Sequence, residues 1–238
     1  MPVYFASDMH LRLDRPDRAQ RLASWVNRLH SDDTLHLVGD VCDFWYGTRQ
    51  RNGMRLECLG LRSLADFKAR GGTLTVMAGN HDLWLGPYYR DVLGAELVVE
   101  PRIVEAYGLR FHVVHGHRVG GRQPWKLAME SRAFFEAFRQ LPAPIARRLD
   151  KTLELNNDHG RVDDEARLVS IYRGFLPQIE PGIDIAIFGH VHSPVNDTTT
   201  MPRMIVLGGW HHHISYLRVD EHGATLVVAE SAKDPIPV

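Results

Sequence analysis

Thr73-Leu74-Thr75-Val76-Met77-Ala78-Gly79-Asn80-His81-Asp82 is the stretch whose reading decides the fold. An apolar, partly β-branched run breaks at glycine and ends in an amide, an imidazole and a carboxylate, which reads as a strand whose C-terminal loop carries chemistry. The pattern recurs along the chain. Asp8 and His10 follow the run Val3 to Ser7, and Gly39-Asp40 follows Thr34 to Val38. His115-Gly116-His117 follows Leu109 to Val114, and Gly189-His190-Val191-His192 follows Ile183 to Phe188. Carboxylate, imidazole and amide groups thus gather at one edge of a sheet, where they can hold two metal ions.

Between the first three runs, Ala19, Leu22, Val26 and Leu29, and then Leu56, Leu59, Leu64 and Phe67, recur at helical spacing. The first third therefore reads β-α-β-α-β. Met204 to Leu207, Ser215 to Val219 and Ala224 to Ala229 read as short strands of a second sheet joined by hairpins. Residues 120–174 differ in character. Leu127, Phe134, Phe138 and Leu141 share a helical stripe widened by Trp125 and Phe135. Pro142 and Pro144 break that helix, Ile145, Leu149 and Leu153 resume it, and Asp163-Asp164 open another toward Leu168, Val169 and Tyr172. This segment reads as a helical cap inserted between two ligand-bearing strands. Its aromatics serve packing on the simplest account. Bulky apolar residues beside Arg132, Arg139, Arg147, Arg148 and Lys151 also suit a substrate with acyl chains and phosphate.

A chain of 238 residues holds one substantial core with a small subdomain, and residues 1–238 read as a single domain. Lys and Arg number 28 against 29 Asp and Glu, a net charge of −1, so overall charge points to no nucleic-acid partner. The 14 histidines are dispersed, and metal ligation accounts economically for several of them. Cys42 and Cys58 form no disulfide framework and fit a reducing compartment. No run reaches the roughly 20 apolar residues that span a bilayer. A cytoplasmic location is expected, and nothing in the pattern sets an oligomeric state.

Each cluster has its own chemical logic. Asp8 and His10, one residue apart, can converge on one cation from an irregular loop. Asp40 can bridge two cations because a carboxylate offers two oxygens. Asn80 adds a neutral oxygen ligand. His81 is placed to reach substrate, with Asp82 expected to orient its imidazole. His115, His190 and His192 complete the donor set. Such mixed carboxylate and imidazole ligands suit Mn, Fe or Zn better than an all-oxygen Mg site.

These blocks resemble the calcineurin-like metallophosphoesterases from Pro2 to about Asp220. The resemblance implies a four-layer αββα sandwich, two mixed β-sheets flanked by helices. It implies one metal held by Asp8, His10 and His192, another by Asn80, His115 and His190, with Asp40 bridging, and it favours Mn. Within the family the likeness is to its lipid A branch, through Gly39-Asp-Val-Cys-Asp-Phe-Trp-Tyr-Gly47, Gly79-Asn-His-Asp-Leu-Trp-Leu-Gly86, the insertion before His190, and Leu207-Gly-Gly-Trp210. That branch implies hydrolysis of UDP-2,3-diacylglucosamine, acyl chains in the cap and peripheral contact with the inner membrane. Its members usually carry Arg where this chain has His81, and Asp where it has His117.

Alternatives follow from the same residues. His81 favours a phosphodiesterase acting on a nucleotide or other substrate without acyl chains; an inactive metal-binding scaffold would have no chemical need for the full ligand set. Trp45, within Phe44-Trp45-Tyr46, either shapes the metal loop or touches substrate. Of His211, His212 and His213, an extended strand can aim only alternate side chains into one pocket, so His211 and His213 are candidate contacts and His212 is peripheral. His117 either orients a ligand or substrate or, on the simpler reading, is a solvent-facing loop residue, and His159 reads as part of a loop. Cys42 has no catalytic role in this reading.

Overall fold

The computed structural model describes residues 1–12, 15–43, 58–83, 85–121, 161–211 and 213–229, with isolated positions between 128 and 148. Strands β1 (Val3–Ala6), β2 (Thr34–Val38) and β3 (Thr73–Met77) lie parallel, connected by helices α1 (Pro16–Val26) and α2 (Leu59–Ala69). A short helix, α3 (Gly86–Asp91), leads to β4 (Glu96–Val98) at one edge. A hairpin of β5 (Arg102–Ala106) and β6 (Leu109–Val114) follows, then α4 (Arg161–Phe175), β7 (Ile185–Phe188), β8 (Val195–Asp197) and β9 (Arg203–Val206). β10 (Ile214–Asp220) and β11 (Gly223–Ala229) end the described chain. The sheets run β11-β10-β1-β2-β3-β4 and β5-β6-β7-β9-β8.

Alternation along each strand builds the layers. Tyr4 and Ala6 of β1, Leu35 and Leu37 of β2, and Leu74 and Val76 of β3 face α1 and α2, meeting Leu22, Trp25, Val26, Leu61, Leu64 and Phe67. Their alternate neighbours, Phe5, Val38 and Met77, meet Phe111, Val113, Ile185, Ile187 and Ile205 between the sheets. On the far side, Ala186, Phe188, Met204 and Val206 pack beneath Val169 and Tyr172 of α4. The result is the expected four-layer αββα sandwich of two mixed sheets with an inserted helical region. Pro16 at the first turn of α1 and Asp17 beside it suit a helix start.

Two expectations are corrected. The hairpin β10–β11 joins the first sheet, not the second: β10 pairs antiparallel with β1, Val3 opposite Val219, and buries Leu217 and Val219 between the sheets. Only β9 of the predicted C-terminal trio enters the second sheet, parallel to β7. Leu59 is 47% exposed at the start of α2, and Leu61 takes its place on the buried stripe with Leu64 and Phe67. In the insertion, Ala128, Ala133, Phe134, Ala137, Gln140, Pro144, Ile145 and Arg148 are helical, with the break at Leu141 and Pro142. Phe44, Trp45, Tyr46, Arg132, Phe138, Arg139, Arg147, Lys151, His159 and His212 lie outside the described residues.

His36 is the polar member of the inter-sheet layer. Its ring stacks on Phe5 at 4.7 Å, and Nδ1 lies 2.7 Å from the Thr75 hydroxyl. Burial, aided by Arg102, pushes its pKa down to about 4. The folded state thus resists a proton that the unfolded chain accepts below about 6.5, so stability is full above that pH and falls as pH drops toward 4. Urea unfolding at pH 7 and pH 5 should show wild type losing about 1–2 kcal/mol more than His36→Phe over that interval; equal losses would show that His36 is protonated without cost in the fold.

Candidate metal centre

Every parallel strand that reaches this edge delivers a polar group from its C-terminal end, the usual place for ligands in such sheets. Asp8 and His10 follow β1, Asp40 follows β2, Asn80 and His81 follow β3, His115 follows β6, His190 and His192 follow β7, and His211 follows β9. Asp8, His10, Asp40 and His190 have φ of 57°, 47°, 52° and 65°. That left-handed backbone costs roughly 1–3 kcal/mol per non-glycine residue and is found where function over-determines the chain. Here it turns the side chains inward within one or two residues of the strand ends.

Two clusters result, linked by a third group of donors, His10, Asp40 and His81. Asp8, His10 and His192 place donor atoms within 4.8 Å of one another, as do Asp40, His115 and His190. His10 Nε2 lies 3.6 Å from Asp8 Oδ1 and 3.2 Å from His192 Nε2. His115 Nε2 lies 3.1 Å from Asn80 Oδ1. Asp40 Oδ2 stands between them, 3.8 Å from His10 Nε2 and 3.4 Å from His115 Nε2. The expected bridging by both oxygens is therefore refined. Oδ1 accepts the His81 backbone N–H at 2.9 Å, and Oδ2 is the oxygen that pairs with His10 and His115.

The donors fit divalent cations. Asp8 Oδ2 accepts the Ser7 hydroxyl at 2.5 Å and the His190 N–H at 2.9 Å, whereas Oδ1 is buried and, among the described residues, has no hydrogen-bond donor. Such an oxygen is costly unless a cation meets it. His115 Nδ1 lies 2.9 Å from the Val38 carbonyl; donating its hydrogen there leaves Nε2 free as a lone-pair donor. Burial opposes charge on these groups, yet opposite charges prevail: Asp43 raises His10, Asp40 raises His115 to about 10, and the imidazoles hold Asp40 well below the carboxylate range. Cations satisfy the same carboxylates, so protons and metals compete here.

Close approach explains Gly79. A Cβ there would collide with Asp40 Oδ1, which leaves no room for any side chain between the β2 and β3 loops. Asp82 fastens the same loops: its carboxylate accepts the N–H groups of Gly79 at 2.7 Å, Asp40 at 3.1 Å and Val41 at 2.8 Å. Burial and then Asp40 raise its pKa to about 6. Asp82 thus organises backbone, and the carboxylate facing His81 is a different one.

That carboxylate is Asp43, which the sequence reading missed. Its Oδ1 lies 2.5 Å from His10 Nδ1 and 3.3 Å from His81 Nδ1. Its Oδ2 meets Arg18 at 3.4 Å and Arg12 at 3.7 Å, both guanidinium groups buried. The only signal in the sequence was its place three residues after Asp40. His211 lies at this edge, its ring stacked on His10 at 5.0 Å and 4.5 Å from His192, while Arg21 holds its carbonyl at 2.8 Å. His213 is half-buried, Phe134 half-buried and Arg148 exposed. His117 is corrected: its side chain is 2% exposed, 5.2 Å from the His115 ring, and burial drives its pKa down to about 2. Cys42 is buried and accepts the Tyr89 hydroxyl at 3.3 Å.

The sequence profile of the Calcineurin-like phosphoesterase family matches residues 1–194. The chain belongs to that family. Its two His and Asp clusters are those of a dinuclear metal-dependent phosphoesterase. Among curated proteins, this phosphoesterase is 25% identical over 244 residues to a UDP-2,3-diacylglucosamine hydrolase of Hahella chejuensis, covering 95% of this chain and 97% of that one. Hydrolases of the same name from Pseudomonas fluorescens Pf-5 and Porphyromonas gingivalis are each 28% identical, covering 94% and 98% of this chain and 93% and 98% of theirs.

The shared oxygen makes a stoichiometric prediction. Titrated with Mn²⁺ in a calorimeter, Asp40→Ala should lose both tight sites, because its Oδ2 faces both clusters, whereas Asn80→Ala should keep the site beside Asp8. Retention of one tight ion by Asp40→Ala would place Asp40 in a single cluster.

Proposed function

We propose that this phosphoesterase hydrolyses the pyrophosphate bond of UDP-2,3-diacylglucosamine, consuming water and releasing UMP and 2,3-diacylglucosamine 1-phosphate. The end-to-end match with hydrolases of that name carries the reading, since it spans the metal loops and the insertion together. Apolar groups on the insertion support it: Phe134 is half-buried and Ile145 is 50% exposed, beside the exposed Arg148. An apolar lining with a basic margin suits acyl chains joined to phosphate. Among the described residues no helix is long and apolar enough to cross a membrane. The enzyme works from the cytoplasm against the membrane surface.

Asp8, His10 and His192 hold one divalent cation, Asn80, His115 and His190 the other, and Asp40 both. Bound cations supply Lewis-acid stabilisation of phosphoryl oxygens and lower the pKa of water. Mn is the favoured metal, with Fe and Zn matching the same donors. His81 is the proton-carrying residue. With Nδ1 facing Asp43 at 3.3 Å, His81 can present Nε2–H to the phosphoryl group or the leaving oxygen. Asp82 acts indirectly, by holding the β2 and β3 loops together. Trp45, Arg132, Phe138, Arg139 and Arg147 remain candidate substrate contacts with Phe134, Arg148, His211 and His213.

The direct test is Mn²⁺-dependent turnover of UDP-2,3-diacylglucosamine with both products identified. UMP and the diacylglucosamine phosphate are expected; no turnover by folded, metal-loaded protein would move the assignment to nucleotides and simple phosphodiesters, the reading that His81 favours. His81→Ala should lower kcat about 10²–10⁴-fold while keeping two bound ions. Phe134→Asp should impair the lipid substrate far more than bis(p-nitrophenyl) phosphate, and equal losses on both would assign Phe134 to packing alone.

A further inference from the structure

A cavity of about 630 Å³ opens between the outer face of β6, the loop that follows it and the flank of α4. Its size falls within the roughly 300–1,000 Å³ of small-molecule sites. Val114, Val119, Ile171 and Phe175 give it apolar walls, and none of the metal-cluster side chains lines it. Two features of that lining are unexplained by packing. His112 is 7% exposed, and among the described residues neither ring nitrogen has a hydrogen-bond partner. Leaving such a group unpaired costs about 1–3 kcal/mol. Gly174 lies within α4, where glycine costs roughly 0.5–1 kcal/mol relative to alanine, yet a Cβ there would meet nothing within 4 Å. Neither a neighbour nor a left-handed backbone calls for glycine; what it leaves is space.

The polar groups narrow the occupant. Glu100 and Arg118 also border the cavity, and they lie 3.4 Å apart, so each already answers the other's charge. Burial lowers the His112 pKa, which keeps the ring neutral near pH 7 with one donor and one acceptor. We propose that this cavity binds an uncharged amphiphile, its alkyl or aromatic body against Val119, Ile171 and Phe175 and its hydroxyl or amide head on the His112 imidazole.

The test uses n-octyl-β-D-glucoside below its micellar concentration as the probe, titrated into the full chain by calorimetry and by side-chain ¹⁵N spectra of histidine. Saturable one-to-one binding that shifts the His112 ring signals is expected. Gly174→Leu should fill the cavity from an unobstructed position, and His112→Phe should remove the polar partner; each should weaken binding about tenfold or more. Thermal melts establish which variants fold, and either folded variant decides the matter. No saturable binding to wild type, or wild-type affinity in a folded variant, overturns the proposal.

Discussion

One carboxylate oxygen faces both halves of this molecule. Asp40 Oδ2 comes from the first sheet and faces both His10, from that same sheet, and His115, from the second. Between the sheets lies a non-directional apolar layer, and at the edge that carries the site directional bonds place the loops, His115 Nδ1 beside the Val38 carbonyl and the His190 N–H on Asp8 Oδ2. A carboxylate facing groups from both sheets adds to those links. Its other oxygen is tied to the His81 N–H, so the metal loop of β3 is set by the same side chain. Asp82 then ties the backbone of both loops from beneath.

Around that oxygen the structure accepts local cost for geometry. Left-handed backbone at Asp8, His10, Asp40 and His190, and charges buried in close array, are unfavourable taken singly. They are sustained by what surrounds them: Ser7 on Asp8, the Val38 carbonyl beside His115, and Asp43 with its two arginines beneath His10. This arrangement pre-orients the donors, so little reorganisation remains when cations bind. The same Asp43 oxygen faces His81, which couples the orientation of a metal-facing ring to that of the proposed proton donor.

Much of this was legible in the sequence because strand ends announce themselves. An apolar run that stops at Gly39, Gly79 or Gly189 and continues into Asp, Asn or His marks both the element and its chemistry, and each of those loops reaches the centre. Sheet membership was less legible. Alternation in Ile214–Asp220 says that one face is buried, but not against which neighbour, so the β10–β11 hairpin was expected in the wrong sheet. Asp43 was missed for a related reason: nothing local shows that a carboxylate three residues beyond a ligand folds back beneath two imidazoles and two guanidinium groups. The solvent-facing reading of His117 failed because a residue past a strand end usually faces solvent, whereas here the Gly116 turn keeps the chain beside His190.

If Asp40 bridges two cations, magnetic coupling between them reads that sharing directly. Electron paramagnetic resonance of the wild-type protein loaded with two Mn²⁺ should show an exchange-coupled pair, whose multiline signal differs from that of isolated ions. Two uncoupled Mn²⁺ signals at full occupancy would contradict the bridge, and with it the claim that Asp40 joins the two sheets into one centre.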